Sequence, residues 1–320
     1  MKIVFFGTPE YVLPILTAIH KTFKDRGGKS PVVAVVTQPP KPIGRKKFLT
    51  YSPVDTWAHK REIPKFYKST DLLKESIKAD LGILAAYGEI IPKEVIDIFP
   101  NGILNIHPSL LPKYRGASPV QAAILSEEKE TGVTIIKIDE KPDHGLIVSQ
   151  FREETLESDT SGTLRKRLFQ RSAEVLTSLI PAYLEGKIKL KEQNHDEATF
   201  TRLIKKDHGF IPPKYFATTL QGGTLKGKWE IPFMRDYSIV PSPSFLERFI
   251  RAMDPWPGAW TNIKIKDQNS KIKIMRLKIL KAHLEKEPVT SNLLLVPDTV
   301  QLEGKNPFTW KQFIDTYNVL

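Results

Sequence analysis

The chain has 320 residues, 40% hydrophobic and 26% charged, so it is long enough for two folded domains and unlike a disordered or fibrous chain. It has no cysteine, which excludes disulfides, thiolate metal sites and cysteine nucleophiles. No apolar stretch approaches the roughly 20 residues of a membrane span, and the N-terminal segment lacks a secretory cleavage site. We therefore expect a soluble, cytoplasmic protein that does not bind membranes.

The positive charge of the chain is unevenly distributed. Lys and Arg number 48 against 36 Asp and Glu, a net charge of +12. Residues 205–320 carry 18 basic and 11 acidic side chains. The segment between Asp25 and Asp55 has no acid and six cations, which are Arg26, Lys29, Lys41, Arg45, Lys46 and Lys47. This distribution favours a polyanionic partner such as nucleic acid, although a basic enzyme surface is the alternative.

Apolar runs alternate with helical patterns in the first part of the chain. The runs KIVFF, VVAVVT, LGILAA and GILNI predict strands, and the intervening patterns predict helices at residues 10–23, 54–60 and 71–78. A longer amphipathic pattern predicts a helix from about residue 160 to 185. Nearly continuous apolar strands separated by helices are typical of a parallel sheet covered on both faces. Phe5 and Phe6 are expected in its core.

The pattern changes after residue 186. A polar, charged stretch without apolar periodicity predicts a linker, and beyond it TNIKIKDQNSKIKIMRLKIL alternates apolar with basic residues around a turn. This segment predicts a hairpin with one buried and one cationic face, although Lys264, Lys266, Lys271 and Lys273 would also suit an ordinary solvated face. The predicted organisation is an α/β domain at 1–189, a linker at 190–207 and a β-rich domain at 208–320.

Two polar side chains end the apolar run GILNI. Asn105 and His107 are two residues apart, so both side chains point to the same face of an extended chain. Ligands usually bind at the carboxyl ends of strands in open α/β sheets. The alternative is a polar strand end that hydrogen-bonds to its own loop.

Two later features favour a ligand site. The segment SLLPKYRGASP forms a stiff, partly apolar loop after His107, of a kind that can grip a flat ligand. Asp143 lies in a turn between the strand-like runs VTIIKID and LIVSQF, where a turn-stabilising role is the alternative. Together, Asn105, His107 and Asp143 suit acyl transfer to an amine, which needs donors for an oxyanion and a group that moves a proton.

Asn105-x-His107, the segment HPSLLPKYRGASP and Asp143 together resemble the folate-dependent formyltransferase superfamily. The resemblance implies that Asn105, His107 and Asp143 are catalytic, that 10-formyltetrahydrofolate is the co-substrate, and that no metal takes part. It further implies a Rossmann-like, mostly parallel sheet domain followed by a small OB-like β-barrel. The residues implied to bind the folate are Ser109, Leu110, Leu111, Pro112, Tyr87, Gly88 and Ile90.

Three further segments are similar to the branch of the superfamily that formylates methionyl-tRNA. They are FFGTPEYVLPIL, TQPPKPIGRKK and IRAMDPWPGAWT. This similarity implies initiator methionyl-tRNA as the partner, and a C-terminal barrel that binds it. It also implies a basic loop that contacts the RNA through Lys41, Arg45, Lys46 and Lys47, with Arg45 the foremost candidate. A monomer is expected.

The chain departs from this branch in three places, one of which is residues 206–212, where the acidic-aromatic ending usual in that branch is lost. His144 stands where a threonine is usual after the catalytic aspartate, and residues 212–247 are longer than this junction needs. A sugar-nucleotide N-formyltransferase with the same donor and a non-catalytic RNA-binding protein remain alternatives. A nucleotide-dependent dehydrogenase lacks support, because no Gly-x-Gly-x-x-Gly follows the first strand.

Overall fold

The computed structural model describes residues 1–43, 47–266, 272–288 and 290–317. The chain forms two compact units. The first contains Met1–Gly116, Glu130–Glu154 and Arg165–Thr199, and the second contains Ala117–Lys129, Thr155–Leu164 and Phe200–Leu320. Each unit consists of three separate segments of the chain. This division does not test the boundaries predicted at residues 189 and 207, which stay a prediction. Within the described residues, no helix has the length and apolarity that crossing a membrane requires.

The first unit is built on a seven-stranded sheet. The strands up to residue 154 are β1 (Ile3–Gly7), β2 (Val32–Val36), β3 (Lys41–Ile43), β4 (Phe48–Thr50), β5 (Lys65–Phe66), β6 (Leu81–Ala85), β7 (Ile103–His107), β8 (Arg115–Gly116), β9 (Glu130–Lys137) and β10 (Leu146–Glu154). The sheet order is β10-β9-β7-β6-β1-β2-β5. Within this order, the five strands β7, β6, β1, β2 and β5 are parallel to their neighbours in that group. Strand β9 is antiparallel to both β7 and β10. The predicted mostly parallel α/β fold is confirmed.

Strand β1 shows why the apolar runs are continuous. It lies between β2 and β6, and all five of its residues are buried. Phe5 is in register with Val35 on one side and Ile83 on the other. A central strand covered on both faces has no solvent-facing side, so it carries no alternating polar residues. The prediction that Phe5 and Phe6 belong to the core is confirmed.

The helices up to residue 184 mostly agree with the predicted patterns. They are α1 (Leu13–Thr22), α2 (Pro53–His59), α3 (Asp71–Lys74), α4 (Lys93–Ile96), α5 (Pro119–Leu125) and α6 (Ser161–Leu184), with 3-10 turns at Glu10–Val12 and His195–Glu197. The helix predicted at 71–78 is wrong in its second half. The chain turns out of α3 because Ser76 adopts a positive φ of 48° and the Ile77 amide donates back to the Leu72 carbonyl.

The second unit contains a four-stranded antiparallel sheet. Its elements beyond residue 199 are β11 (Phe200–Thr201), β12 (Trp229–Glu230), β13 (Ser238–Ile239), β14 (Ala259–Lys266), β15 (Ile272–Lys286), β16 (Leu293–Leu302), β17 (Phe308–Thr309), α7 (Pro213–Leu220), α8 (Pro243–Met253) and α9 (Trp310–Thr316), with a 3-10 turn at Lys206–Gly209. The sheet order is β14-β15-β16-β17. Helix α8 buries one apolar face within this unit.

The predicted cationic hairpin is confirmed as β14 and β15, which pair from Ala259↔Ile279 to Lys266↔Ile272. Thr261 is buried on one face, and Lys264 and Lys266 are exposed on the other. The predicted cationic face also carries exposed apolar side chains, because Ile272 and Ile274 pair across the strands with these lysines. Lys271 lies outside the described residues.

The long segment 212–247 folds into the second unit rather than forming an open loop. Within it, α7 precedes the β12–β13 pair. Trp229 of β12 packs against Phe249 of α8 at 4.9 Å between ring centroids and against Tyr215 of α7 at 5.4 Å. Phe233 is fully buried. The segment therefore supplies aromatic core to this unit.

Candidate active site

Asn105 and His107 occupy the last part of β7, between β6 and β9. Asn105 is in register with Leu84 of β6 and with Ile136 of β9. Both polar residues are buried, with 7% and 4% of their surface exposed. A buried amide and imidazole need hydrogen-bond partners, since leaving such a group unpaired costs about 1–3 kcal/mol. Their partners identify the rest of the site.

Asp143 supplies the main partner. It lies in the turn between β9 and β10 with a φ of +50°, in the left-handed region. Its Oδ1 accepts a hydrogen bond from Asn105 Nδ2 at 3.1 Å and faces His107 Nδ1 at 3.5 Å. Its Oδ2 accepts from the Gly116 backbone amide at 2.7 Å. The structure therefore brings together the three side chains that sequence reasoning selected separately.

The imidazole of His107 is oriented at both ring nitrogens. Nε2 lies 3.0 Å from the backbone oxygen of Tyr114, which can only accept, so Nε2 carries a proton. Nδ1 then faces the Asp143 carboxylate.

The segment from Ser109 to Pro112, in the loop after β7, is held against the sheet by hydrogen bonds. The hydroxyl of Ser109 donates to the Lys113 carbonyl at 2.6 Å. Thr134 of β9 donates to the Ser109 carbonyl at 2.7 Å and accepts from the Leu111 amide at 3.0 Å. Gln150 of β10 donates both to the Leu111 carbonyl and to Thr134. Leu110 is half-buried beside them, so the loop has a fixed, partly apolar surface.

The loop after β6 leaves the sheet at the same edge as the loop after β7, because the two strands are parallel neighbours. Tyr87 is a core residue: its ring packs on Phe6 at 5.9 Å and its hydroxyl donates to Glu89. Burial, followed by the Glu89 carboxylate, raises the pKa of Tyr87. Gly88 and Ile90 are exposed, Ile90 by 76%.

A second layer of polar groups surrounds the Asp143 turn, and sequence reasoning missed it. Gln193 donates to the carbonyls of Asp143 and Gly145, and accepts two hydrogen bonds from Arg115. Arg115 also donates to His195 Nδ1 at 2.7 Å. These residues are far apart in the sequence, and Gln193 lies in the stretch interpreted as a linker, so no local pattern indicated them.

His144, the departure noted in the sequence, is not paired with Asp143. Its Nδ1 lies 2.6 Å from Asp139 Oδ2, and its ring stacks on His195 at 4.1 Å between centroids. Desolvation, followed by the charges of His144 and Arg115, lowers the pKa of His195 below its ordinary 6.5. Protonation of His195 is therefore opposed while the Arg115 contact is made.

The early basic segment is partly described. Strands β3 and β4 pair antiparallel, with Lys41 in register with Thr50. Lys41 and Lys47 are exposed, as are the side chains of Phe48 and Leu49. Arg45 and Lys46 lie outside the described residues. No cluster of three or more potential metal ligands occurs in the part of the chain that the structure describes.

Comparison with known proteins supplies an independent line of evidence. Residues 1–180 match the formyl transferase family, and residues 242–318 match the C-terminal domain of formyl transferases. A methionyl-tRNA formyltransferase from Chloroflexus aggregans is 38% identical over 267 residues, covering 82% of this chain and 76% of that protein. Another from Roseiflexus castenholzii is 36% identical over 330 residues, covering 96% and 93%.

A solved structure shares the fold. The N-formyltransferase from Helicobacter canadensis, in complex with folinic acid and dTDP-3-aminofucose, superposes with a TM-score of 0.61 at 18% identity and covers 90% of each chain. The family resemblance inferred from the sequence motifs is confirmed by the matched regions and by the curated relatives. The chain belongs to the formyl transferase family.

Proposed function

We propose that this chain is an enzyme that transfers the formyl group of 10-formyltetrahydrofolate to the amino group of methionine esterified to initiator tRNA, supporting translation initiation. The family and the names of relatives that cover most of the chain support this assignment. The observation that carries the chemistry is the partly buried Asp143 carboxylate, which contacts the buried Asn105 and His107 side chains and the Gly116 amide.

In the proposed mechanism, the amine nitrogen bonds to the formyl carbon and produces a tetrahedral oxyanion. The Asn105 amide would donate to that oxygen through the N–H that does not bind Asp143. His107 would donate through Nδ1 in its protonated form, because its Nε2 is bound to the Tyr114 carbonyl. Asp143 holds both donors and takes part in moving the proton from the attacking amine toward N10 of the donor, whose bond to carbon breaks. No covalent enzyme intermediate is required, and none of the three groups is a metal ligand in this scheme.

The folate would lie against the two loops that leave the same edge of the sheet. Ser109, Leu110, Leu111 and Pro112 would supply one wall, which Thr134 and Gln150 hold in place. Gly88 and Ile90 would supply the other, supported by their exposure beside β6. For Tyr87, the buried ring favours a supporting role through its backbone and the core beneath the loop.

The tRNA would be contacted by the early basic segment, through Lys41, Arg45, Lys46 and Lys47. The exposure of the first and last of these supports the proposal, since phosphate contacts require accessible cations. We expect the enzyme to act in the cytoplasm, because charged tRNA and folate are both soluble substrates, and we expect it to be a monomer.

An assay of the purified chain tests the acceptor. Wild-type protein is incubated with 10-formyltetrahydrofolate and either methionyl-initiator tRNA, methionyl-elongator tRNA or amino-sugar nucleotides. We expect formyl transfer to the initiator tRNA. Transfer only to an amino sugar would overturn the acceptor, and transfer to no amine would overturn the enzymatic assignment.

A further inference from the structure

The side chain of Gln193 uses its full hydrogen-bonding capacity in one place. Nε2 donates to the carbonyls of Asp143 at 2.9 Å and Gly145 at 2.8 Å. Oε1 accepts from Arg115 Nε at 3.2 Å and from Arg115 Nη2 at 2.6 Å. Because carbonyls only accept and a guanidinium only donates, the amide cannot be turned over without losing all four bonds. The residue is 6% exposed, so water does not replace them readily.

The turn whose carbonyl groups accept hydrogen bonds from Gln193 has an unfavourable backbone conformation. Asp143 has a φ of +50°, which residues other than glycine adopt at a cost. Gly145, two residues after Asp143, lies close to the Lys137 carbonyl group. A Cβ atom at position 145 would be 1.9 Å from the Lys137 carbonyl oxygen. A turn of this kind persists only when surrounding contacts hold it. Gln193 holds it at two carbonyls that flank His144.

Arg115 connects Gln193 to the segment that binds the other oxygen of the Asp143 carboxylate. It is buried, and it directly precedes Gly116, whose amide donates to Asp143 Oδ2. Gln193 therefore links the turn that carries Asp143 to the loop segment that binds the same carboxylate. The direction of both carboxylate oxygens, toward His107 and toward Gly116, depends on the separation of these two segments.

We propose that Gln193 is a positioning residue for formyl transfer, which sets the orientation of the Asp143 carboxylate through the turn backbone and Arg115. The proposal rests on the proposed function of Asp143. Gln193 itself does not touch the reacting atoms in this scheme. Displacing a catalytic group by about 1 Å can cost 10²-fold in rate, so losing these hydrogen bonds is expected to act on turnover more than on binding.

The first test replaces Gln193 by Met, which has similar length and no amide. We expect kcat to fall by about 10–100-fold, while KM for donor and acceptor changes by less than about 3-fold. Gln193→Glu keeps acceptors for Arg115 but loses both donors to the turn, so it is expected to keep folding and to lose kcat similarly. The control is Asn101→Leu, which removes an amide that donates to the Asp80 carbonyl rather than to this turn and should leave kcat unchanged.

A double-mutant cycle separates positioning from a purely structural role. If Gln193 acts through Asp143, adding Gln193→Met to Asp143→Asn should reduce the residual rate by less than about 3-fold. Multiplicative losses in the cycle, a wild-type kcat for Gln193→Met, or failure of both Gln193 variants to fold would each overturn the proposal. The ratios are measured on whichever amine the wild type formylates, so an error in the proposed acceptor is detected separately by the wild-type assay.

Discussion

The Asp143 carboxylate has two oxygens and three neighbours, which makes its charge the feature to test first. Asparagine has the same size, but it has one acceptor oxygen, so either Asn105 or the Gly116 amide loses its acceptor. His107 also loses its charged partner. We expect Asp143→Asn to lower kcat by about 10²–10⁴-fold, the usual contribution of proton transfer, with little change in donor KM. Steady-state kinetics with both substrates measures this.

Asp236 provides a matched control for this substitution. It also has a positive φ, 56°, but its side chain is 90% exposed. Asp236→Asn keeps the backbone conformation and removes an exposed charge whose ion-pair partner, Arg235, is also exposed, so kcat should equal that of the wild type. A wild-type rate for Asp143→Asn would remove this carboxylate from the mechanism.

His283 should make the stability of the second unit depend on pH. The Glu285 carboxylate raises the pKa of His283, with a further contribution from Asp298. A raised pKa means that the folded state favours the charged ring, so the stabilisation is complete below the unfolded value of 6.5 and is lost as pH rises through the folded pKa. We expect His283→Gln to lower the melting temperature at about pH 5.5 and to have little effect at about pH 9.

The partners of His283 give the corresponding control. In a chain that carries both Glu285→Gln and Asp298→Asn, the two carboxylates that contact His283 are replaced by neutral amides. The His283→Gln effect should then lose its pH dependence. An equal loss of melting temperature at both pH values in the parent chain would contradict an electrostatic origin and indicate lost packing instead.

At the scale of the strands, two fully buried threonines test how hydrogen bonding supports the loop after β7. Thr134 on β9 contacts Ser109, Leu111 and Gln150. Thr261 on β14 has a buried hydroxyl without a partner among the described residues. Valine has the same shape as threonine, so each substitution removes only the hydroxyl.

We expect Thr134→Val to destabilise the protein by about 1–3 kcal/mol, because it leaves buried groups unpaired. It should also raise KM for the folate donor, since the loop loses the hydroxyl that hydrogen-bonds to Ser109, Leu111 and Gln150. Thr261→Val should be neutral or stabilising by up to about 1 kcal/mol, because an unpaired hydroxyl is removed from the core. Urea unfolding of the two variants makes the comparison, and equal destabilisation would contradict it.

The sequence allowed the strands to be predicted because a buried parallel strand is apolar throughout, as β1 is. The spacing of Asn105 and His107 likewise placed them on one face of β7. The role of Gln193 was not predictable, since its bonds depend on the chain returning to the Asp143 turn 50 residues later. The exposed Ile272 escaped prediction for a different reason: alternation indicates which residues share a face, not which face packs.

For the whole molecule, the net charge of +12 predicts that association with tRNA is sensitive to salt. Each lysine or arginine that contacts a phosphate releases counterions, so it adds to the slope of binding against salt concentration. Contacts that only orient the amine at the site add nothing to this slope. Salt dependence therefore separates the RNA surface from the reaction centre.

Arg45→Ala tests this separation. Arg45 belongs to the acid-free segment between Asp25 and Asp55, and in the sequence it lies between Lys41 and Lys47, which are both exposed. We expect the slope of log kcat/KM for tRNA against log salt to decrease in magnitude by about 0.7–0.9, the value of one phosphate contact, with kcat at saturating tRNA unchanged. Lys74→Ala is the control, because Lys74 is exposed but paired with Asp71, and its slope should match the wild type. If Arg45→Ala lowered kcat and left the slope unchanged, the basic segment would act on the chemistry and not on the RNA backbone.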